Sequence, residues 1–264
     1  MIPLSLRGRE VTKTDINRCV DAASTIRLPF DREVIHRVVH KFSVDDQPWI
    51  KDPLGLFASR LASEVYIITA GVNHIQNIYK CVNSAGYDVR EIVFTGMADG
   101  AGLLTWNEKD EGSLLFDIGS SLSEISVFFE GYLSEMAVLD IGADEMKEDF
   151  KESTGFTGLL AGIHSMKDNF LNTGGRISSI VVTGGMAFTD GFIELLEERM
   201  SMPVRMGVAK DIRGDISSLD SVRLATAIGL VKYACERRKI VVSCYKNIPR
   251  LISAKVVDLF NNYF

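Results

Sequence analysis

The run Leu114–Phe129, LLFDIGSSLSEISVFF, decides how this chain is read. Apolar residues fill both ends and small polar ones the centre, the pattern of two buried strands joined by a tight turn, a hairpin. A second run, Ile180–Gly185, IVVTGG, is also a strand emptying into small residues. Each carries its turn to a sheet edge. Glycine there permits close backbone approach and positive φ, so Gly119, Gly184 and Gly185 together with the hydroxyls of Ser120, Ser121 and Ser123 could face an anion. Asp117 and Glu124 bracket the first turn. A polar hairpin with no ligand, and an ordinary glycine turn, account for the same residues.

Around these runs lie 264 residues, 46% hydrophobic and 24% charged, enough for one large or two smaller domains with a sizeable core. The formal net charge of -6 and the lack of a basic block argue against a nucleic-acid binder. Cys19, Cys81, Cys235 and Cys244 form no C-x-x-C pair and read as reduced packing residues, the first two on apolar helical faces. The start, MIPLSLRGRE, lacks a signal-peptide core, and no apolar run has the length of a membrane span, which predicts a cytoplasmic protein. Neither H-E-x-x-H nor G-x-S-x-G occurs, so no catalytic residue is assigned.

Upstream, Thr12 and Asp15 have capping-box spacing before Ile16, Cys19, Val20 and Ala23, which predicts a helix closed off by Pro29. Arg32–Val44 alternates with period two and predicts a strand that puts His36 and His40 on one face. No third metal ligand follows at a useful spacing, which favours solvated edge residues. Asp45–Gly55 reads as a turn-rich loop, with Trp49 as an exposed aromatic for a partner or packed on its own loop. Arg60–Ala70 reads as a second strand, and Asn73–Gly86 as a helix with Ile75, Ile78, Tyr79, Val82 and Ala85 on one side. Glu91–Phe94 reads as a third strand.

These segments carry a resemblance. REVT at Arg9–Thr12, FDREVIH at Phe30–His36, IKDPLG at Ile50–Gly55, RLASEVYIITA at Arg60–Ala70, QNIYKCVNSAGY at Gln76–Tyr87 and EIVF at Glu91–Phe94 follow, in order, the extra subdomain of the bacterial cell-division protein FtsA. Met97–Trp106 resembles that actin-like family's helix between its two halves. MAVLDIG at Met136–Gly142, GFIELLEERMSMPVRMG at Gly191–Gly207 and LATAIGLVKYA at Leu224–Ala234 resemble later parts of its second half. The implied fold class is α/β: an α+β amino-terminal module, 1–95, joined to a partial actin-like, ribonuclease-H-type half, 96–240. A shortened insert falls at about 143–178 and a tail at 241–264. Small residues Ala225, Ala227 and Gly229 would let their helix approach a neighbour closely. With much of the first half missing, Ile92, Phe94, Leu103 and Leu104 need new cover, from the second half or from another copy.

The family's second phosphate loop has the form Asp-x-Gly-Gly-Gly-Thr-Thr-Asp, where this chain has Asp117, Ile118, Gly119, Ser120, Ser121, Leu122, Ser123 and Glu124. Its first phosphate loop, Asp-x-Gly-Thr, would lie before Met1. The resemblance therefore implies nucleotide contacts at Asp117, Gly119, Ser120, Ser121, Ser123, Gly184 and Gly185, with magnesium reached from Asp117 through water. The losses predict no resident cofactor and no ATP hydrolysis. Implied partners are further copies of the chain and other cell-division proteins, the FtsZ-type partner being in question because the insert that holds its peptide is short. The family also ends in an amphipathic helix on the inner face of the cytoplasmic membrane. Here Ile252, Val256, Leu259, Phe260 and Tyr263 fall along one helical face and would touch that surface, or pack on protein instead. The expected function is a membrane-tethered division scaffold. The alternatives are an ATP-binding ATPase completed by a partner chain or an upstream segment, and an actin-like adaptor of type IV pilus assembly.

Overall fold

The computed structural model describes residues 1–45, 47–146, 150–209 and 217–246, with the backbone alone at 49, 218, 219, 221 and 238–246. Eight elements build the first part: β1 (Ile2–Pro3), β2 (Arg9–Glu10), α1 (Lys13–Ala23), β3 (Arg32–Val44), β4 (Gln47–Ile50), β5 (Phe57–Ala58), β6 (Arg60–Gly71) and α2 (Val72–Ser84). An antiparallel sheet runs β1-β6-β3-β4, and β2 pairs with β5 beside it. Cys19 of α1 closes one core over Phe42, Val44 and Leu61 of the sheet.

The start of α1 is fixed as its spacing predicts. The Asp15 amide donates to Thr12 Oγ1, and Asp15 Oδ2 accepts from the Thr12 amide at 3.1 Å, a reciprocal cap. Arg9 then grips both carboxylate oxygens at 2.6 Å. The Arg9 guanidinium, followed by the Thr12 hydroxyl, holds the Asp15 carboxyl far below the usual carboxylate range. Asp15→Ala removes cap and clamp together and is expected to cost roughly 2 kcal/mol in chemical denaturation. Because the folded pKa is depressed, that contribution is present above the ordinary carboxylate pKa and is lost as pH falls below it.

The second part comprises α3 (Thr95–Leu103), α4 (Trp106–Glu111), β7 (Ser113–Ile118), β8 (Ser123–Phe129), β9 (Tyr132–Leu139), α5 (Thr154–Asn172), β10 (Ser179–Gly184), α6 (Phe192–Met200), β11 (Val204–Met206), α7 (Ser218–Arg223) and α8 (Ala225–Lys246). Its sheet has the order β11-β10-β7-β8-β9. β11, β10 and β7 are parallel, while β7, β8 and β9 form an antiparallel meander. Alternation sorts the side chains into layers. Phe116, Ile118, Ile125 and Val182 face a core built with Phe156 and Ile163 of α5 and Phe192 and Leu196 of α6. Leu115, Phe128 and Val181 point the other way, toward Leu103 and Leu104 of α3 and Ala225 of α8. The predicted hairpin is thus the middle of a three-layer α/β unit, and the stretch 143–178 is spanned largely by the single helix α5.

α3 and α8 cross at glycines. A Cβ on Gly229 would fall 2.0 Å from the Ala98 carbonyl oxygen, and one on Gly102 would fall 3.0 Å from Gly229 Cα. Leu103 and Leu104 are buried, with Phe94 packed against them, so the second half supplies the cover they need.

Several expectations are corrected. Glu91–Phe94 forms no strand: the Phe94 amide donates to His36 Nε2 at 2.9 Å and Phe94 caps α3, so these groups leave the sheet ladder. His36 is 7% exposed and packs edge-on against Tyr233 of α8, so it is not a solvated edge residue, while half-buried His40 makes a tilted contact with Tyr66. Irregularities between Val34 and His36 and between Val39 and Lys41 interrupt the alternation that placed both on one face. Asp45–Gly55 contains β4, and the Trp49 side chain lies outside the described residues. α1 stops at Ala23 with Ser24 as its cap, well before Pro29. Cys19 is buried, but Cys81 and Cys235 are exposed; the Cys244 side chain is outside the described residues. On α2 only Ile75 is buried, and Ile78 is exposed.

Candidate functional site

Parallel pairing of β10 with β7 brings the two glycine turns to the same sheet edge. Thr183 lies opposite Asp117, and Asp117 opposite Glu124, so Thr183, Asp117 and Glu124 form a row across three strands. Gly184, at φ +85°, closes the approach: a Cβ there would meet the Ile118 carbonyl oxygen at 2.3 Å and Asp117 Oδ1 at 2.6 Å. Gly185 faces open space. A pocket of about 540 Å³ opens over this edge, lined among others by Asp117, Thr183, Gly184, Phe188, Arg223 and Thr226. Asp117, Gly184 and Gly185 are therefore brought together as the sequence predicts.

The hairpin's own turn is used differently. The Gly119 amide donates to the Leu122 carbonyl at 2.9 Å, and the Gly119 and Ser120 carbonyls accept from the Ala143 and Asp144 amides. Ser120 Oγ bonds Asp144, Ser123 Oγ donates to the Ile141 carbonyl at 2.6 Å, and Ser123 is fully buried. Gly142 permits this docking, since a Cβ there would sit 2.2 Å from the Ser120 carbonyl oxygen. Ser120, Ser121 and Ser123 do not line the pocket beside Asp117. The turn is pinned to the segment after β9 through two of its carbonyls and the hydroxyls of Ser120 and Ser123. Two of the three serine hydroxyls that the family pattern would offer to phosphate are thereby used within the chain.

Above the row stands Asp99 of α3, with no exposed surface; neither carboxyl oxygen has a partner in good hydrogen-bond geometry, although the Thr226 hydroxyl is close enough to act on it. Glu124 Oε2, Thr183 Oγ1 and Ser126 Oγ are buried and unpartnered. Burial, opposed by the Thr226 hydroxyl and reinforced by the charges of Asp117 and Glu124, pushes the Asp99 carboxyl up to about 7. Burial and then the Asp117 charge push Glu124 to about 7, and burial raises Asp117. Among the described residues no arginine or lysine acts on any of the three. The sequence named Asp117 and Glu124 as flanks of a turn, whereas Asp99 was missed. The only local signal was an acid inside the small-residue run GMADGAG, Gly96–Gly102.

Residues 1–69 match the family described as the SHS2 domain inserted in FTSA. The cell-division protein FtsA of Pseudomonas aeruginosa is 28% identical over 287 residues, covering 89% of this chain and 69% of that protein. Both matches support FtsA as the family this chain resembles. FtsA of Borreliella burgdorferi gives a similar match, 27% over 292 residues, covering 90% of this chain and 71% of that protein. Among solved structures, a PilM–PilN type IV pilus biogenesis complex aligns with a TM-score of 0.57 at 13% identity, over 85% of this chain and 74% of that one. That likeness concerns the fold, which is the actin-like one. The family match at residues 1–69 lies within the first part of the chain, ahead of the five-stranded unit.

Proposed function

We propose that this FtsA-like protein acts as a cell-division scaffold that associates with itself and with other division proteins at the membrane surface, without turning over ATP. The observation that carries the reading is the pinned hairpin: Gly119, Ser120 and Ser123 are bonded to the chain around Ile141–Asp144. Phosphoryl transfer depends on positioning and charge stabilisation, so a loop whose Ser120 and Ser123 hydroxyls are already bonded within the chain contributes little to it. The purified chain is expected to show no ATP turnover above buffer; turnover that disappears in Asp117→Ala would refute this half of the proposal. Exposed apolar side chains on the first part of the chain, Phe30, Leu54, Phe57 and Ile78, suit association with protein partners. The FtsZ-type contact stays outside the proposal, because the stretch that would hold it is short and α5, Thr154–Asn172, is its one α-helix among the described residues.

Attachment to the membrane is assigned to Ile252, Val256, Leu259, Phe260 and Tyr263, which lie outside the described residues. Among the described residues no helix is long and apolar enough to cross a bilayer, so contact through an amphipathic segment is the form proposed. The whole chain is expected to float with anionic vesicles and the chain ending at Lys246 to remain in the soluble fraction. Equal behaviour of the two would remove the membrane from the reading.

A further inference from the structure

The row Thr183–Asp117–Glu124, with Asp99 over it, is an acceptor-rich niche whose three acids have no ion-pair partner among the described residues. Its carboxyls come from three elements, α3, β7 and β8, and α8 faces them with the uncharged Thr226. Thr183 is 1% exposed, lines the pocket and leaves its hydroxyl oxygen unpartnered; Glu124 Oε2 is unpartnered behind it, and neither Asp99 oxygen has a partner in good hydrogen-bond geometry. Buried polar atoms without partners are rare in folded proteins, and Thr183 Oγ1 at the opening, beside the Asp117 carboxylate, points to a missing group that donates hydrogen bonds and carries positive charge.

The walls narrow the choice. Among the described residues no three acidic, histidine or cysteine side chains are arranged to hold a metal ion, and the opening of about 540 Å³ exceeds what an ion alone fills. Phe188, Val222 and Ala225 give the pocket an apolar side. Its one lining arginine, Arg223, lies over the Phe188 ring with its guanidinium carbon 5.5 Å from the centroid. We infer that the pocket receives an alkylammonium group, its methylenes along Phe188, Val222 and Ala225 and its nitrogen toward Asp117 and Thr183. Ammonium offers three donors from one compact charge, which suits acceptors converging from a sheet and the helix above it better than the planar fork of a guanidinium does. Two sources share this chemistry: a lysine side chain of a protein partner and a free polyamine. The inference does not rest on the scaffold reading.

The test is calorimetric titration at pH 8 and constant ionic strength with cadaverine, with N-acetyl-lysine amide and with magnesium chloride. The proteins are the parent chain, Asp117→Asn, Thr183→Val and a Lys210→Ala, Arg213→Ala variant. Saturable binding of at least one amine is expected, weakened about tenfold or more in Asp117→Asn and less in Thr183→Val. Each variant's melting curve establishes that it is folded, and substitutes that remove buried unpaired polar atoms favour folding. Binding of the lysine amide alone assigns the source to a protein side chain, and binding of the diamine alone assigns it to a polyamine. The inference is overturned if neither amine binds, if Asp117→Asn binds as well as the parent, or if magnesium alone binds and requires Asp117. Amine binding confined to the Lys210, Arg213 variant also overturns it, because the chain would then provide its own cation. ATP turnover measured in parallel tests the scaffold reading separately.

Discussion

Asp99→Asn is expected to be markedly more stable than the parent at pH 8.5 and nearly equal to it at pH 4. In the parent, folding buries this carboxyl completely, leaves its oxygens without a partner in good hydrogen-bond geometry and raises its pKa to about 7. The unfolded chain binds that proton only up to the ordinary carboxylate range. Between these limits the folded state holds more protons than the unfolded state. The favourable contribution of the protonated acid is therefore complete below the unfolded pKa and is lost as pH rises through the folded one. Asparagine keeps the shape and carries no charge. At pH 8.5 the gain is expected to be on the order of 2–3 kcal/mol, a rise in Tm of several degrees for a chain of this size. The three acids titrate as a coupled set, so Glu124→Gln should flatten the same pH slope. Parallel stability profiles of parent and Asp99→Asn between pH 4 and 8.5 would remove Asp99 from the set.

Gly229→Ala should lose several kcal/mol, a reversal of what its helix alone would favour. In an isolated helix alanine is better than glycine by about 1 kcal/mol. At the crossing of α8 over α3, however, the added methyl would fall 2.0 Å from the Ala98 carbonyl oxygen and 2.5 Å from its carbon. Backbone atoms there cannot turn aside as a side chain end can, so the helices must separate and uncover Leu103, Leu104 and Ala225. Overpacking of this kind costs roughly 1–3 kcal/mol, and the loss of shared core adds to it. Ala227→Leu, at an exposed position on the same helix, should change stability by less than about 0.5 kcal/mol. Urea denaturation of both variants measures the contrast, and a stabilised Gly229→Ala would show that the crossing is not tight.

The hairpin was legible because both of its strands carry period-two or continuous apolar runs around a small-residue turn, and local pattern settles such elements. The capping box was legible for the same reason. What failed depended on distant partners. Nothing near Phe94 announces that its amide will bond His36 rather than a strand, and the offsets in β3 that redirect His36 and His40 leave no mark in composition. β4 was hidden by the Asp, Pro and Gly residues around it. At the candidate site, Asp117 and the Gly184-Gly185 pair were legible as turn residues, and the sheet brings them together. Asp99 gains meaning only from acids 18 and 25 positions further along the chain, at 117 and 124, and the docking of Ser120 on Asp144 likewise crosses sequence that no periodicity links.

Ile68 of β6 is buried in the same cluster as Leu104 and Leu133, with Ile35 and Val38 of β3 packed against it, and the His36 ring holds the amide of the residue that begins α3. The first part of the chain is therefore bolted to the five-stranded unit rather than hung from it. A tug on its outer surface by a neighbour in a division complex would reach α3, and the acids beneath it, as a displacement of one stiff lever.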